Sequence, residues 1–343
     1  MFKIGSFDLK KDGIFIIAEL SANHGNELNI ALETIKAAKE IGANAIKIQT
    51  YSPDTMTLNC DNEEFVANPN GPWAGTKLYD LYKEAMLPWE WHKQLFDYAR
   101  KIGIDIFSSP FDKSAVDFLE QFNPSAYKIA SFEITDHELI RYTASKMRPI
   151  IISTGIASID EIQDAVDICR AENNYNIVIL KCTSAYPASL SEANLLTIPN
   201  IAQTFGVISG FSDHTLGNTA PIVATTLGAK VLEKHFILDK SIGGADAHFS
   251  MDKNEFSSMV QEIRNTEKLL GKIDYSMNEK KKNSRHSSRS IYISKDVKEG
   301  ETFTKENIKT VRPGYGLHPK YFYDILGTKA KKDYTLGDRA ELI

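Results

Sequence analysis

The residues of this 343-residue chain that are best suited to chemistry recur at the downstream ends of short apolar segments. Lys47 and Lys128 alternate with apolar residues inside two of these segments, and His214 and His235 close two others. Burying a lysine inside such a segment is costly unless its charge is paired or used. Because charged and polar residues close nearly every segment, we interpret them as an active site rather than as ordinary surface charge.

The two lysines and several serine hydroxyls could together bind phosphate and carboxylate groups. Lysine supplies a point charge, whereas hydroxyls and backbone N–H groups give the anion a direction. For either lysine, the alternative is a structural ion pair with Glu19 or Glu133. The hydroxyl groups expected in this anion site belong to Ser109, Ser131, Ser153 and Ser212.

The two histidines suggest a metal-binding site on one side of the same active site. His214 and His235 end adjacent segments, and two imidazoles with water and substrate oxygens suit Mn²⁺ or a similar ion. They are too few for a closed structural zinc site. The alternative is a pair of hydrogen-bonded histidines without metal. His92 and His137 fall in helical segments, and we expect both at the surface.

The segments that carry these residues have the composition of strands in a parallel sheet. They are rich in β-branched residues, and most are apolar on both faces. Helical patterns fill most of the gaps, so the alternation predicts an α/β fold of the (β/α)₈ TIM-barrel type. A doubly wound open sheet is the alternative, but no glycine-rich dinucleotide fingerprint follows the first segment. The predicted strands are 14–20, 45–50, 104–110, 126–131, 149–154, 177–183, 207–213 and 231–236.

Composition shifts divide the chain into a large domain and a small one. Residues 1–275 are predicted to form the barrel, with an N-terminal hairpin over residues 2–9 that could plug its floor. The aperiodic stretch 51–88 follows the second strand, and we expect a functional loop there. A polar, basic, serine-rich linker is predicted at 276–289, followed by a small domain at 290–343.

The bulk properties exclude several classes of protein. The net charge is −5 and neither terminus carries a charged tail, so neither nucleic acid nor an anionic membrane is an expected partner. Three cysteines at wide spacings suggest neither a disulfide framework nor a zinc cluster. The N-terminus lacks a signal-peptide pattern, and no apolar run reaches the ~18 residues of a membrane span. We therefore expect a cytoplasmic enzyme.

Eight motifs, taken in order, resemble the sialic acid synthase family: IIAELSANHG, IKIQTY, FSSPFD, YKIASFE, ISTGIAS, LKCTSAYP, GFSDHT and VLEKHF. The tail RSIYISKDVKEGETFTKENIKTVRPGYGLHP resembles the family's antifreeze-like (SAF) domain, a β-clip fold. The resemblance implies an enzyme that condenses phosphoenolpyruvate (PEP) with an N-acylated amino sugar, giving a nonulosonic acid and phosphate. It also implies a domain-swapped homodimer.

The same resemblance assigns roles to individual residues. It implies that His214 and His235 hold a divalent metal that polarises the sugar aldehyde, with Mn²⁺ expected before Mg²⁺ or Co²⁺. Glu19 would act as a base or position a water molecule. The residues implied to bind PEP are Lys47, Ser109, Lys128, Ser131, Ser153, Ser184 and Ser212. Those implied to contact the sugar are Gln49, Glu133, Tyr186, Asp246 and Arg312, the last one supplied by the partner subunit.

Several forms of the motifs resemble the pseudaminic acid branch of the family, namely KIASFE, KCTSAYP, RPGYGLHPK and WAGTKLYDLY. Ser184 stands where enzymes that make N-acetylneuraminic acid usually carry asparagine. This implies 2,4-diacetamido-2,4,6-trideoxy-β-L-altropyranose as the sugar. The alternative is N-acetylneuraminic or legionaminic acid synthesis, from ManNAc or a 2,4-diacetamido mannose analogue.

The residues alone leave three further readings open. One is a metal-dependent aldolase that uses pyruvate, and another is a Schiff-base aldolase that uses Lys128. The third is a non-catalytic sugar-binding protein, which the full set of polar strand ends argues against.

Overall fold

The computed structural model describes residues 2–68 and 73–342. The chain forms two compact units; the first ends at Gly271 and the second begins at Lys272. Residues 69–72 of the predicted functional loop, and the first and last residues of the predicted domains, lie outside the described residues. The domain and linker boundaries at 275, 276–289 and 290 stay predictions, and a short helix, Glu279–Ser284, lies inside the predicted linker.

Eight parallel strands of the first unit close into a barrel, with the last strand hydrogen-bonded to the first. Each predicted strand overlaps one of them, and the TIM-barrel prediction is confirmed. An antiparallel hairpin of β1 (Lys3–Ile4) and β2 (Phe7–Asp8) precedes the barrel. The barrel strands are β3 (Phe15–Glu19), β4 (Ala45–Thr50), β5 (Asp105–Pro110), β6 (Tyr127–Ile129), β7 (Ile150–Ser153), β8 (Ile177–Cys182), β9 (Ile208–Asp213) and β10 (Val231–His235).

Helices surround the barrel, and three of them, α2 (Pro53–Met56), α3 (Leu78–Ala85) and α8 (Thr197–Phe205), were not predicted. The sequence of α8 contains Pro199 and several β-branched residues, which are poor helix formers. It is helical because proline is tolerated in a first turn and because Ile198, Ile201 and Phe205 are buried. Helices α2 and α3 lie in the stretch 51–88, which was predicted as a loop. The helices of this unit are α1 (Leu28–Glu40), α2 (Pro53–Met56), α3 (Leu78–Ala85), α4 (His92–Ile102), α5 (Lys113–Glu120), α6 (His137–Ala144), α7 (Ile159–Ala171), α8 (Thr197–Phe205), α9 (Thr219–Thr226) and α10 (Lys253–Leu270).

The interior of the barrel is apolar at one end and polar at the other. Side chains alternate between the two faces of a strand, so residues two apart share the interior. At the N-terminal end, Phe15, Ile17 and Phe107 pack with Ile4 and Leu9 of the hairpin, which closes the floor as expected. Continued along each strand, the same alternation places the polar residues in the opposite mouth.

The second unit has its own small core. Strand β11 (Ser290–Ile293) pairs antiparallel with β12 (Ile308–Val311), and the helices are α11 (Glu279–Ser284) and α12 (Phe322–Ile325). The core is formed by Ile291, Ile293, Val297, Phe303, Ile308, Ile325, Ala330, Tyr334 and Ala340. Over 2–68 and 73–342, no helix combines the length and the apolarity needed to cross a membrane.

Candidate active site

Glu19 and Lys47 form a buried ion pair in the barrel mouth. They lie opposite each other in the register of β3 and β4, and Lys47 Nζ lies 2.7 Å from Glu19 Oε2. Gln49 Nε2 donates to Glu19 Oε1 at 3.0 Å. Burial raises the pKa of Glu19 to about 7, against the pull of Lys47. A carboxyl group with a pKa near neutral pH suits proton transfer. Glu19 therefore forms the ion pair considered for Lys47 and is also a candidate general acid or base.

A second carboxylate, Glu233 of β10, lies between the two buried lysines. Its Oε1 is 3.7 Å from Lys47 Nζ and 3.8 Å from Lys128 Nζ, and it accepts a hydrogen bond from Ser212 at 3.3 Å. Burial lowers the pKa of Lys128. Burial would raise the pKa of Glu233, but the two lysines hold it below its usual range. The carboxylate within 4 Å of Lys128 is therefore Glu233, not Glu19 or Glu133.

Gly155, Ser131 and Ser184 line a small hydroxyl-rich recess near the ends of β6, β7 and β8, and Ser153 ends β7 two residues before Gly155. Ser131 Oγ accepts a hydrogen bond from the backbone N–H of Gly155 at 3.0 Å. The hydroxyls of Ser153 and Ser184 are buried without a hydrogen-bond partner. A Cβ atom on Gly155 would lie only 2.0 Å from Ser184 Oγ and 2.8 Å from Ser131 Oγ. Buried polar groups normally have partners, so the recess is suited to a ligand that supplies acceptors.

Ser109 belongs to the lysine side of the mouth. Its hydroxyl accepts a hydrogen bond from Lys47 Nζ at 3.3 Å. The backbone carbonyl of Ile129 accepts one from Lys128 Nζ at 3.1 Å. Lys47 Nζ also contacts Glu19 and Glu233, so Lys128, with one hydrogen bond, keeps more N–H donors for an anion, because an ammonium group has three.

His214 and His235 lie next to each other at the ends of β9 and β10. Their ring centroids are 5.4 Å apart, and the rings of Tyr186 and Phe249 pack against them at 4.3 Å and 4.8 Å respectively. His214 Nδ1 donates to the carbonyl of Thr183 at 2.9 Å, so in the neutral ring Nε2 carries the lone pair. Burial lowers the pKa of His214, but Cys182 and the Thr183 carbonyl together raise it above its usual value. Burial, with the positive groups nearby, holds the pKa of His235 well below its usual range. The neutral imidazole is the form that binds metals.

This corner fits a divalent metal ion that takes its remaining ligands from water and substrate. His235 Nδ1 is buried without a hydrogen-bond partner, and it lies 3.7 Å from Asp246 Oδ2. The carbonyl that orients His214 is the kind of outer partner that metal-binding histidines have. In the described part of the chain, however, no three His, Cys, Asp or Glu side chains are grouped closely enough to hold an ion by themselves.

The predicted sugar-contacting residues separate into two groups. Gln49, Tyr186 and Asp246 face the same mouth, and Glu133 is half-buried with its Oε2 atom unpartnered. Burial raises the pKa of Glu133 to about 7. Arg312 lies in the second unit directly after β12 and is exposed.

The prediction that His92 lies at the surface is wrong, whereas His137 is exposed as expected. His92 is fully buried at the start of α4, with Nε2 2.7 Å from Thr50 Oγ1 and Nδ1 3.2 Å from the carbonyl of Trp89. The helix presents this residue to the barrel together with Leu95 and Ala99, and the histidine is satisfied there by hydrogen bonds.

Cys182, Glu233 and Phe249 were not among the predicted site residues. Cys182 Sγ lies 3.9 Å from His214 Nδ1. The alternation of β8 could have placed Cys182 in the interior, because it continues the parity of Val178 and Leu180. Phe249 follows β10 in a loop, where no periodicity indicates its direction.

A closed (β/α)₈ barrel with two buried lysines, a hydroxyl recess and a histidine pair at its C-terminal mouth defines an enzyme that acts on an anionic substrate. The chain matches the model of the NeuB family over residues 34–275 and that of the SAF domain over residues 288–336. It belongs to the NeuB family, and both resemblances found in the sequence are confirmed.

Curated relatives match almost the whole chain. The pseudaminic acid synthase of Campylobacter jejuni subsp. jejuni serotype O:23/36 (strain 81-176) is 49% identical over 336 residues, which cover 98% of this chain and 97% of the relative. The pseudaminic acid synthase of Helicobacter pylori (strain ATCC 700392 / 26695) is 49% identical over 92% of this chain and 93% of the relative. The crystal structure of the spore coat polysaccharide biosynthesis protein SpsE from Bacillus subtilis is similar, with 34% identity, a TM-score of 0.67 and coverage of 99% and 97% respectively.

Proposed function

We propose that this chain is a pseudaminic acid synthase. It condenses PEP with 2,4-diacetamido-2,4,6-trideoxy-β-L-altropyranose and releases pseudaminic acid and phosphate. Relatives that carry this name match nearly the full length of the chain, which confirms the function predicted from the motifs at the level of the enzyme class. The observation that supports PEP as the donor is the hydroxyl recess beside two buried lysines.

PEP carries a phosphate and a carboxylate, and the mouth offers donors for both. We place these groups among Lys47, Lys128 and the hydroxyl groups, where charge-assisted hydrogen bonds are strongest. The unpartnered hydroxyls of Ser153 and Ser184 would gain acceptors from the ligand. Ser109, Ser131 and Ser212 complete the set that we assign to PEP.

The reaction forms one carbon–carbon bond and breaks one carbon–oxygen bond. C3 of PEP attacks the aldehyde carbon of the open-chain sugar, and water adds to C2. The tetrahedral carbon then loses phosphate by cleavage of its C2–O bond, which leaves the 2-keto acid. Glu19, with its pKa near 7, takes the proton of the attacking water, and the lysines stabilise the negative charge of PEP and of the departing phosphate.

A divalent ion, which we expect to be Mn²⁺ rather than Mg²⁺ or Co²⁺, would polarise the sugar carbonyl as a Lewis acid. His214 and His235 would hold it. Gln49, Glu133, Tyr186 and Asp246 would orient the sugar. Arg312 of the partner subunit would complete the sugar site in a domain-swapped homodimer, and we expect the enzyme in the cytoplasm.

A phosphate-release assay tests this proposal. The enzyme is incubated with PEP, Mn²⁺ and, in separate reactions, the proposed altropyranose, ManNAc and the 2,4-diacetamido mannose analogue. Stoichiometric phosphate and pseudaminic acid should appear with the altropyranose. Preference for one of the other sugars would point to N-acetylneuraminic or legionaminic acid synthesis instead.

One double variant, chelation, a pyruvate assay and a trapping experiment separate the remaining alternatives. Joint replacement of His214 and His235 by alanine should abolish turnover, and so should chelation; full activity after chelation contradicts the metal assignment. Turnover with pyruvate, without phosphate release, would identify an aldolase. A borohydride-reduced adduct on Lys128 would identify a Schiff-base mechanism.

A further inference from the structure

A buried ion pair lies on the outer face of the barrel wall, behind the two histidines. Asp213 and Lys234 are opposite each other in the register of β9 and β10. Their side chains are only 2% and 3% exposed respectively, and they point away from the mouth because the next residues, His214 and His235, point into it.

Hydrogen bonds of this pair join the residues on both sides of His214 in the chain. Lys234 Nζ donates both to Asp213 Oδ2 and to the carbonyl of Thr215. Asp213 Oδ1 accepts from the backbone N–H of Thr215 at 2.8 Å. The residues on either side of His214 are thus tied to one ammonium group, and that ammonium group belongs to the residue before His235.

Stability alone is a weak reason for this pair. Removing two charges from water is expensive, and apolar residues of similar volume often replace buried ion pairs without loss of stability. A buried ion pair does define geometry, because the ammonium group must satisfy two acceptors at once. The geometry defined here is the distance between the ends of β9 and β10, which carry the histidines.

We propose that the Asp213–Lys234 ion pair is a positioning device that fixes the spacing and ring orientation of His214 and His235, so that both can bind one divalent ion. Neither residue touches the substrate in this scheme. The inference rests on the proposed function only for the identity of the ion, Mn²⁺. The orientation of the two histidines can be measured in the metal-free enzyme.

The test uses the full-length double variant Asp213→Asn/Lys234→Met, which removes both charges together and leaves no unpaired one. Mn²⁺ binding is measured by isothermal titration calorimetry, and the histidine tautomers of the metal-free enzyme by ¹⁵N NMR. Loss of a hydrogen-bond partner of a metal-binding histidine costs about 10-fold to 100-fold in affinity. Because the ion pair acts on His214 only through the backbone of Thr215, we expect a loss at the lower end, about 10-fold. The single Nδ1–H tautomer of His214 should give way to a mixture, and kcat should fall with KM for PEP unchanged.

Arg148→Met is the control for a general loss of stability. Arg148 Nε pairs with Glu120 Oε1 at 2.6 Å near the floor of the barrel, because Arg148 precedes β7 and Glu120 ends α5. This variant should lose stability yet keep wild-type Mn²⁺ affinity and tautomers.

Three results would overturn the inference. The first is a double variant that binds Mn²⁺ like the wild type and keeps the tautomer of His214. The second is an equal loss of affinity in Arg148→Met, which would indicate general loosening. The third is a wild-type enzyme that releases phosphate without binding Mn²⁺, in which case the proposed reaction stands.

A different result would refute only the proposed function. In that case the wild type binds Mn²⁺, the double variant binds it more weakly, and no sugar leads to phosphate release. The inference would then be supported.

Discussion

Replacing Gly155 by alanine should disturb the recess proposed to bind PEP. The backbone of Gly155 lies outside the left-handed region, so alanine causes no backbone strain. Its Cβ atom, however, would lie 2.0 Å from Ser184 Oγ and 2.8 Å from Ser131 Oγ. Both distances are too short for real contacts, so at least one hydroxyl must rotate out of the recess.

The effect on PEP binding follows from the strength of the lost contact. A hydrogen bond to a charged group contributes about 1.5–3 kcal/mol. At about 1.4 kcal/mol per factor of ten, loss of one bond should raise KM for PEP about 10-fold to 100-fold. The thermal midpoint and KM for the sugar should stay unchanged, because a rotating hydroxyl costs the fold little.

The assay is phosphate release, with PEP titrated at saturating sugar. Ser184→Ala is the control, and the double variant Gly155→Ala/Ser184→Ala gives the new methyl group room. The double variant should therefore be less impaired than the sum of the two single changes predicts. A folded Gly155→Ala enzyme with wild-type KM for PEP would refute the assignment of the recess to PEP.

Three other predictions concern different parts of the first unit. Burial lowers the pKa of His92 to about 4, so the unfolded chain binds a proton more tightly than the folded protein does. The free energy of unfolding should therefore fall by up to about 3 kcal/mol as the pH drops from 6.5 to 4. In denaturant titrations, the free energy of unfolding of His92→Gln should depend less steeply on pH. Equal slopes would contradict the buried neutral imidazole. Leu9→Ala should reduce the free energy of unfolding by about 2–5 kcal/mol through a cavity at the barrel floor, and a negligible change would show that the hairpin does not seal it. Lys128→Ala should impair PEP use far more than sugar use in steady-state kinetics, and equal losses would indicate a structural lysine.

Much of the site could be predicted because the composition of the strands and the alternation of residues along them agree. The strands are apolar on both faces, and the alternation along β4 puts Lys47 and Gln49 on the interior face. The same parity applies to Lys128, Ser153, His214 and His235. Since parallel strands of a barrel end at one mouth, strand-end residues far apart in sequence had to meet.

The partners of these residues could not be predicted, because they depend on strand register and on barrel closure. Lys128 has Glu233 within 4 Å, a residue 105 positions away, only because β10 closes the barrel against β3 and β9. The sequence left Glu19 and Glu133 as equal candidates. The direction of His92 likewise depended on which face of α4 meets the barrel.

The sequence by itself determined the fold class, the order of the strands and the residues that face the mouth, since these follow from local periodicity. Only the tertiary structure decided which charges pair and which remain for a ligand. It placed Lys47 against Glu19 and left the hydroxyls of Ser153 and Ser184 without partners. It also brought Asp213 and Lys234 together behind the histidines, because their pairing depends on the register of β9 against β10.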